Sequence, residues 1–192
     1  GIPTDHALDR VWTARPGFIN FALSQTWLAQ QVDVIIGAGK TFGRGSFGQD
    51  QRVQVEFVSV NPTGPLHVGH VRGAVIGSAL ANIMEAAGYD VQREYYVNDA
   101  GNQMELFYKT LHARYLQQFG QDAQIPEDGY QGDYMIDLAA SIKEQEGERF
   151  LGMKPDEGAR QIGAIGLQRM VDNIRERLGR MRVEYDEWFS EE

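Results

Sequence analysis

The sequence predicts an α/β fold in which parallel strands are connected by helices. Three observations lead to this prediction. Residues 53–60 and 91–97 are rich in β-branched and aromatic side chains, which is typical of strands. Between them, residues 68–87 show a wide apolar face at helical spacing, which suits packing on a sheet. Strand, helix and strand in this order predict a βαβ unit with parallel strands and a right-handed crossover.

The composition indicates a globular chain and excludes several classes of protein. Apolar residues make up 42% of the sequence, which is enough for a buried core. There is no cysteine, so disulfides and thiolate metal sites are excluded, and we expect no metal held by the protein. No apolar run approaches the roughly 20 residues that span a bilayer, and no leader-like segment is present. These features predict a cytoplasmic protein that does not bind membranes.

The charge and the ends of the chain add two expectations. A net charge of −9 argues against a nucleic-acid surface over the whole chain, because phosphate contacts need clustered Lys and Arg. A local basic patch is still compatible with that charge. The chain starts without Met and stops just after residues 183–189, whose alternation predicts a strand. We therefore expect it to be a fragment.

The first fifty residues predict a small separate domain. Residues 18–21 have the pattern of a short strand, and Ser24 is suited to cap the helix that follows. The glycine-rich stretch 37–51 predicts a mobile connector and the domain boundary. Residues 1–50 thus form one predicted domain with its connector, and residues 51–192 form the second. Further helices are predicted over 103–119, 133–145 and 155–178.

The turn after the first strand of the second domain carries the candidate chemistry. Parallel sheets bind ligands beyond the carboxyl ends of their strands, and the start of a helix attracts phosphate. His67 and His70 are three residues apart at such a helix start, so both imidazoles can face one anion. Gly69 between them would let a flat base approach the backbone. The arrangement favours nucleotidyl transfer, since both rings could stabilise charge on an α-phosphate.

Other interpretations of these residues stay open. A His-x-Gly-His string can arise by chance, and two histidines can also bind zinc, although zinc needs three or four ligands. Four polar residues at or beyond the carboxyl end of the second strand could line the same cleft: Tyr96, Asn98, Asp99 and Gln103. Alternatively, Asn98 and Asp99 form a turn and cap the next helix.

Several stretches of the chain resemble class I aminoacyl-tRNA synthetases, and the bacterial arginyl-tRNA synthetases in particular. That class carries a His-apolar-Gly-His signature after its first strand. The signature motif in this chain is Asn61-Pro62-Thr63-Gly64-Pro65-Leu66-His67-Val68-Gly69-His70. The arginine-specific resemblance extends over residues 55–70, 88–91, 94–103, 126–132 and 183–191, and 16–21 looks like the end of that family's N-terminal additional domain.

The resemblance implies a fold, a reaction and partners. The fold is a Rossmann-like nucleotide-binding half-domain with a helical insertion, preceded by the tail of a small N-terminal α+β domain. The reaction joins arginine and ATP, which is accompanied by Mg²⁺, into arginyl-adenylate, and then transfers the arginyl group to tRNA(Arg). The full-length parent is expected to be a monomer. Since the second half of the catalytic domain and the anticodon-binding domain are missing, we expect these 192 residues alone not to charge tRNA.

The resemblance also assigns roles to individual residues. His67 and His70 become the catalytic pair, and Pro65 and Gly69 join them in binding ATP. Arginine would be bound by Glu56, Asn61 and Asn20, because a carboxylate suits an ammonium group and an amide suits a carboxylate. Each of the three also has a plainer explanation: a surface charge for Glu56, a turn-former before proline for Asn61, and a strand-end cap for Asn20.

Two rival functions are compatible with the sequence. The first is another nucleotidyltransferase of the same superfamily, which would use the same histidines on a different acceptor. The second is a synthetase-like module without catalysis that binds RNA or a partner protein.

Overall fold

The computed structural model describes residues 6–191, which belong to two compact units. The first unit extends to Gly45, and the second begins at Ser46. The assignment of residues 1–50 and 51–192 to two domains stays a prediction. Within residues 6–191, no helix is long and apolar enough to cross a membrane.

The first unit opens with a β-hairpin. β1 (Leu8–Ala14) pairs antiparallel with β2 (Phe18–Leu23), and β2 includes the strand predicted over 18–21. β1 is not among the predicted strands, because most of its residues are exposed and its apolar alternation is weak. Such a strand can be recognised only once its pairing with a neighbouring strand is known.

The helix of the first unit, α1 (Gln25–Ala38), begins after Ser24 as predicted. The Ser24 hydroxyl accepts a hydrogen bond from the Trp27 backbone N–H at 3.4 Å and caps the first turn. Gly39 ends the helix with a φ of 53°, a left-handed conformation that glycine adopts without a Cβ clash. A single 3₁₀ turn follows over Gly39–Thr41, so the first part of the predicted connector is helical.

The second unit contains a parallel sheet of three strands in the order β3-β4-β5. These are β3 (Arg52–Glu56), β4 (Asp90–Val97) and β5 (Glu187–Ser190). Glu56 lies opposite Glu94 in the register, and Val97 lies opposite Ser190. Since all three strands run the same way, their carboxyl ends meet at one edge. The predicted α/β class with parallel strands is confirmed.

β3 is shorter than predicted. It ends at Glu56 and not at Val60, because Val58 and Ser59 have φ angles of 70° and 43°. These angles are left-handed and cannot continue a strand. The chain therefore leaves the sheet four residues earlier than its β-branched composition suggests.

β5 is also shorter than the strand predicted over 183–189. The Asp186 carboxylate accepts a hydrogen bond from the Arg93 backbone N–H at 2.7 Å, so a side chain occupies a ladder position. Regular pairing begins only at Glu187. The side-chain contact explains why the ladder starts late.

α2 (Val68–Ala86) connects β3 to β4 and packs on the sheet through small residues. Its buried residues are Ala74, Gly77 and Ala81, and a Cβ added at Gly77 would lie 2.2 Å from the Phe57 ring. Helix and sheet therefore approach closely. The expectation that the wide apolar face packs on the sheet is wrong for the larger side chains. Four of these are exposed: Val75, Ile76, Leu80 and Ile83.

Three helices between β4 and β5 form what we call the helical insertion: α3 (Asn102–Gln117), α4 (Asp133–Glu146) and α5 (Pro155–Arg180). All three match predicted helices, with ends that differ by two residues at most. They enclose a core of fully buried side chains: Phe107, Leu111, Tyr115, Met135, Ile142, Phe150 and Ile162. The insertion thus has a hydrophobic core of its own.

Candidate functional site

The two signature histidines meet at the start of α2. His67 is the residue before the first turn, and its Nδ1 accepts a hydrogen bond from the Gly69 backbone N–H at 3.1 Å. His70 reaches back so that its Nδ1 accepts from the His67 backbone N–H at 3.3 Å. This reciprocal pattern is a capping box built from two imidazoles. The rings stack with their centroids 3.5 Å apart.

These caps determine which ring nitrogen carries the proton. A ring nitrogen that accepts an N–H bond is unprotonated, so in each neutral imidazole the proton resides on Nε2. Both rings therefore present an Nε2–H donor, while Nδ1 faces the backbone of the helix start. Partial burial lowers the pKa of His70 below its ordinary value of 6.5, and the neighbouring His67 lowers it further by a smaller amount. His70 is thus neutral near pH 7.

The rest of the signature motif shapes the surroundings of the rings. A Cβ added at Gly69 would lie 3.0 Å from Cε1 of His67, so the glycine makes room for that imidazole. Pro62 and Thr63 are buried, whereas Pro65 is exposed next to the histidines. The turn therefore buries its first half and exposes its second. Participation of Pro65 and Gly69 in binding ATP stays a prediction.

Asn61 and Gln103, predicted from different strand ends, are in contact. The Asn61 Nδ2 donates a hydrogen bond to the Gln103 Oε1 in the first turn of α3. Asn61 follows β3 and Gln103 follows β4, so this bond connects the carboxyl ends of two neighbouring strands. The structure brings the two residues together, and their part in binding a substrate stays a prediction.

The carboxyl edge of the sheet is acidic around Tyr96. Burial raises the pKa of Tyr96, and the carboxylates of Glu191, Asp99 and Glu56 raise it further. A carboxylate raises the pKa of a phenol only from nearby, so the four groups share this part of the edge. Glu56 is exposed at the end of β3, and its part in binding arginine stays a prediction.

Asp99 connects β4 to β5. Its carboxylate accepts hydrogen bonds from the Ser190 hydroxyl at 2.6 Å and from the Glu191 backbone N–H at 3.0 Å. Asp99 is only 8% exposed, and this burial fits a fastening role. The alternative that Asn98 or Asp99 caps the next helix is wrong, because Gly101 is the cap residue of α3 and no side chain bonds there. Asn98 is half-buried, and its place in a cleft stays a prediction.

Asn20 belongs to the other unit. It lies on β2 opposite Trp12, and it is half-buried there. Its part in binding arginine stays a prediction.

Sequence reasoning missed the tyrosines that hold the turn between β3 and α2. Tyr95 on β4 donates its hydroxyl proton to the Val60 carbonyl at 3.1 Å and accepts from the Val60 N–H at 3.3 Å. Tyr185 donates to the Phe57 carbonyl at 3.1 Å. No local pattern marks these residues, since Tyr95 lies 35 residues from its partner and Tyr185 lies 128.

Two cavities are lined by residues other than His67 and His70. One of ≈ 420 Å³ opens in the helical insertion beside His112, and one of ≈ 290 Å³ lies between Leu66 and Arg177 of α5. His67 itself is exposed at the surface of the second unit. In the described part of the chain, no three His, Cys, Asp or Glu side chains cluster in a way that could hold a metal ion.

The parallel sheet, the imidazole pair at its first βα turn and the helical insertion are features of a Rossmann-like class I synthetase domain. The family described as tRNA synthetases class I (R), catalytic domain, matches residues 31–145. The chain belongs to this family.

Its relatives are named for arginine. The chain is 48% identical to the arginine–tRNA ligase of Dehalococcoides mccartyi over 99% of its own length and 34% of that protein. It is 45% identical to that of Oceanobacillus iheyensis, over 98% of its own length and again 34% of the relative. The chain thus spans about a third of the length of these curated relatives.

Solved structures agree with the fold. A Campylobacter jejuni crystal structure described as an arginyl-tRNA synthetase matches with a TM-score of 0.75 and 32% identity, over 88% of this chain and 37% of that one. The Thermus thermophilus arginyl-tRNA synthetase matches with a TM-score of 0.51 and 25% identity, over 98% of this chain and 30% of that one.

Proposed function

We propose that this chain is part of an arginine–tRNA ligase, which activates arginine with ATP and transfers the arginyl group to the 3′ end of tRNA(Arg) in protein synthesis. The observation that carries the proposal is the stacked pair of His67 and His70 at the start of α2. Relatives named arginine–tRNA ligase support the choice of amino acid.

The imidazole pair suits the first chemical step. A carboxylate oxygen of arginine bonds to the α-phosphorus, and the bond from that phosphorus to the bridging oxygen breaks. Pyrophosphate leaves with the electron pair. Negative charge grows on the phosphate oxygens, where the Nε2–H groups of His67 and His70 and the positive end of the α2 dipole stabilise it. Mg²⁺ enters with ATP as part of the substrate, bound by phosphate oxygens.

The acidic edge around Tyr96 suits the other substrate. Arginine carries a guanidinium and an ammonium group, and both are attracted by the carboxylates that surround this tyrosine. Glu56 and Glu191 are both exposed. Because Glu191 already forms a hydrogen bond with Tyr96, we assign Glu56 to the substrate. Asn61, with its amide N–H held by Gln103, would offer its carbonyl oxygen to the ammonium group.

The binding step can be tested on this chain by NMR. The sequence contains four histidines, so the imidazole Hε1 region should hold four resonances. ATP with Mg²⁺ should shift the resonances of His67 and His70, while His6 and His112 serve as internal controls. A His67→Ala, His70→Ala double variant should weaken binding by tenfold or more, in line with the loss of two hydrogen bonds to charged groups. Equal shifts at all four histidines, or none, would contradict the proposal.

The choice of arginine needs a turnover assay. Full-length parent protein should exchange pyrophosphate into ATP in the presence of arginine and tRNA, and other amino acids should not replace arginine. Exchange that depends on a different acceptor would favour the rival nucleotidyltransferase. We expect the 192 residues alone to show no robust exchange. A cytoplasmic location and a monomeric parent stay predictions.

A further inference from the structure

One segment of backbone, residues 57–63, is bound by the hydroxyls of three tyrosines from three different parts of the second unit. Tyr95 and Tyr185 belong to the sheet region and bind the first part of the segment. The third, Tyr134, comes from the first turn of α4 in the helical insertion and donates to the Thr63 carbonyl at 2.6 Å. It therefore binds Thr63, the last residue of this segment, four residues before His67.

The segment needs external support because its backbone is strained. Val58 has a φ of 70° and Ser59 a φ of 43°, both in the left-handed region. A β-branched residue such as Val58 is rarely found there, and such conformations persist only where surrounding contacts enforce them. The Ser59 hydroxyl oxygen also accepts a bond from the Tyr96 backbone N–H at 3.1 Å. The turn is therefore held in place from outside.

The surroundings of Tyr134 are shaped to fit its ring. A Cβ added at Gly132 would lie 2.6 Å from that ring, so a larger residue at position 132 would displace the ring. At the other end, a Cβ at Gly64 would lie 3.6 Å from the Tyr134 hydroxyl, which is an ordinary contact distance. The hydroxyl thus sits directly against the Thr63–Gly64 backbone. Burial raises the pKa of Tyr134 from 10.0 to about 12, so the hydroxyl keeps its donor proton well into the alkaline range.

We propose that Tyr134 is a positioning residue that connects the helical insertion to the turn carrying His67 and His70. Its hydrogen bond to Thr63 holds the turn in the conformation that places both imidazoles at the start of α2. The inference rests on the proposed function, since it assumes that this turn binds ATP. Coupling between two sites is reciprocal, so ATP at the turn should also rigidify the start of α4.

The test compares Tyr134→Phe with Tyr115→Phe in the 192-residue chain. Tyr115, also in the insertion, donates its hydroxyl proton to the Gly147 carbonyl, so this matched control loses the same kind of bond away from the turn. Hydrogen exchange is measured at the amides of Thr63, Gly64, Leu66 and His67, with and without ATP. Tyr134→Phe should speed exchange at these amides about two- to tenfold and weaken ATP binding by a similar factor, as expected for one hydrogen bond. Tyr115→Phe should change neither.

A second variant keeps the hydroxyl and moves the ring. Gly132→Ala should displace Tyr134 and also speed exchange in the turn, since the added Cβ clashes with the ring. In the unaltered chain, ATP should slow exchange at residues 133–136, and Tyr134→Phe should abolish that protection.

The outcomes separate this inference from the proposed function. Unchanged turn exchange in Tyr134→Phe and Gly132→Ala would overturn it, and so would equal acceleration by Tyr115→Phe, which would indicate general destabilisation. If the unaltered chain binds no ATP, the proposed function fails. In that case, hydrogen exchange measured at the amides of the turn without ATP still tests whether Tyr134 holds the turn.

Discussion

Two helices of the second unit, α2 and α3, show opposite relations between apolar sequence and burial. α2 is the more apolar helix, yet its buried residues are three small ones. α3 is more polar, yet seven of its residues are buried, among them Leu111 and Phe107. α3 packs against both α4 and α5, whereas α2 packs against the sheet. The neighbours of a helix, and not its composition, decide how much of it is buried.

This difference matters because α2 carries the imidazole pair. The helix packs on the sheet region through the close contact of Gly77 with Phe57, and four of its large apolar side chains are exposed. Its position therefore depends on a few close contacts, while α3 is enclosed by a broad core. Variants in the two helices should consequently behave differently.

The largest effect is expected for leucine truncation in the two helices. Leu111 on α3 is fully buried, while Leu80 on α2 is 48% exposed. Leu111→Ala should lower the free energy of unfolding by about 2–5 kcal/mol, because a cavity forms in a packed core. Leu80→Ala should lower it by less than about 1 kcal/mol. Urea unfolding curves measure both values, and similar losses would show that α2 is more enclosed than the structure indicates.

The next effect concerns two glycines of α2. Gly77→Ala should destabilise by about 1–3 kcal/mol, because its Cβ would overlap the Phe57 ring. Gly73 has open space around it, so Gly73→Ala should stabilise by about 0.5–1 kcal/mol through helix propensity. Thermal unfolding followed by circular dichroism distinguishes the two. If Gly77→Ala also stabilises, the close packing of α2 on the sheet is wrong.

A smaller effect concerns Tyr95, which holds the turn before α2. Burial raises the pKa of Tyr95 from 10.0 to about 12. At a pH between these two pKa values, the folded chain keeps a proton that the unfolded chain loses. The free energy of unfolding therefore falls as the pH rises above 10. At pH 11 the loss is about 1 kcal/mol. Urea unfolding at pH 9 and pH 11 measures it, and Tyr95→Phe should show a smaller fall between the two pH values than the unaltered chain.

The smallest effect is expected at His70 in the first turn of α2. Its pKa is lowered below 6.5 by burial and then by His67. The unfolded chain therefore binds more protons just below pH 6.5, so stability falls slightly as pH decreases through that range. NMR titration of Hε1 should give a midpoint below 6.5 for His70. Bound ATP should raise this midpoint, because a nearby anion favours the imidazolium form.

Much of the fold and part of the site could be predicted from the sequence. Helical spacing placed α2 to α5 within two residues of their observed ends, because side-chain periodicity is a local property. The pairing of His67 with His70 also followed from local geometry, since residues three apart in a helix share a face. The motif resemblance correctly indicated the synthetase family.

The tertiary structure decided what depends on distant neighbours. β3 ends at Glu56 because the backbone turns left-handed at Val58, supported by tyrosines far along the chain. Asp99 fastens β5 rather than capping α3, and the large apolar residues of α2 stay exposed, because only the folded arrangement determines which groups meet. Periodicity reports the conformation of a segment, whereas hydrogen bonds and burial between distant segments depend on the whole fold.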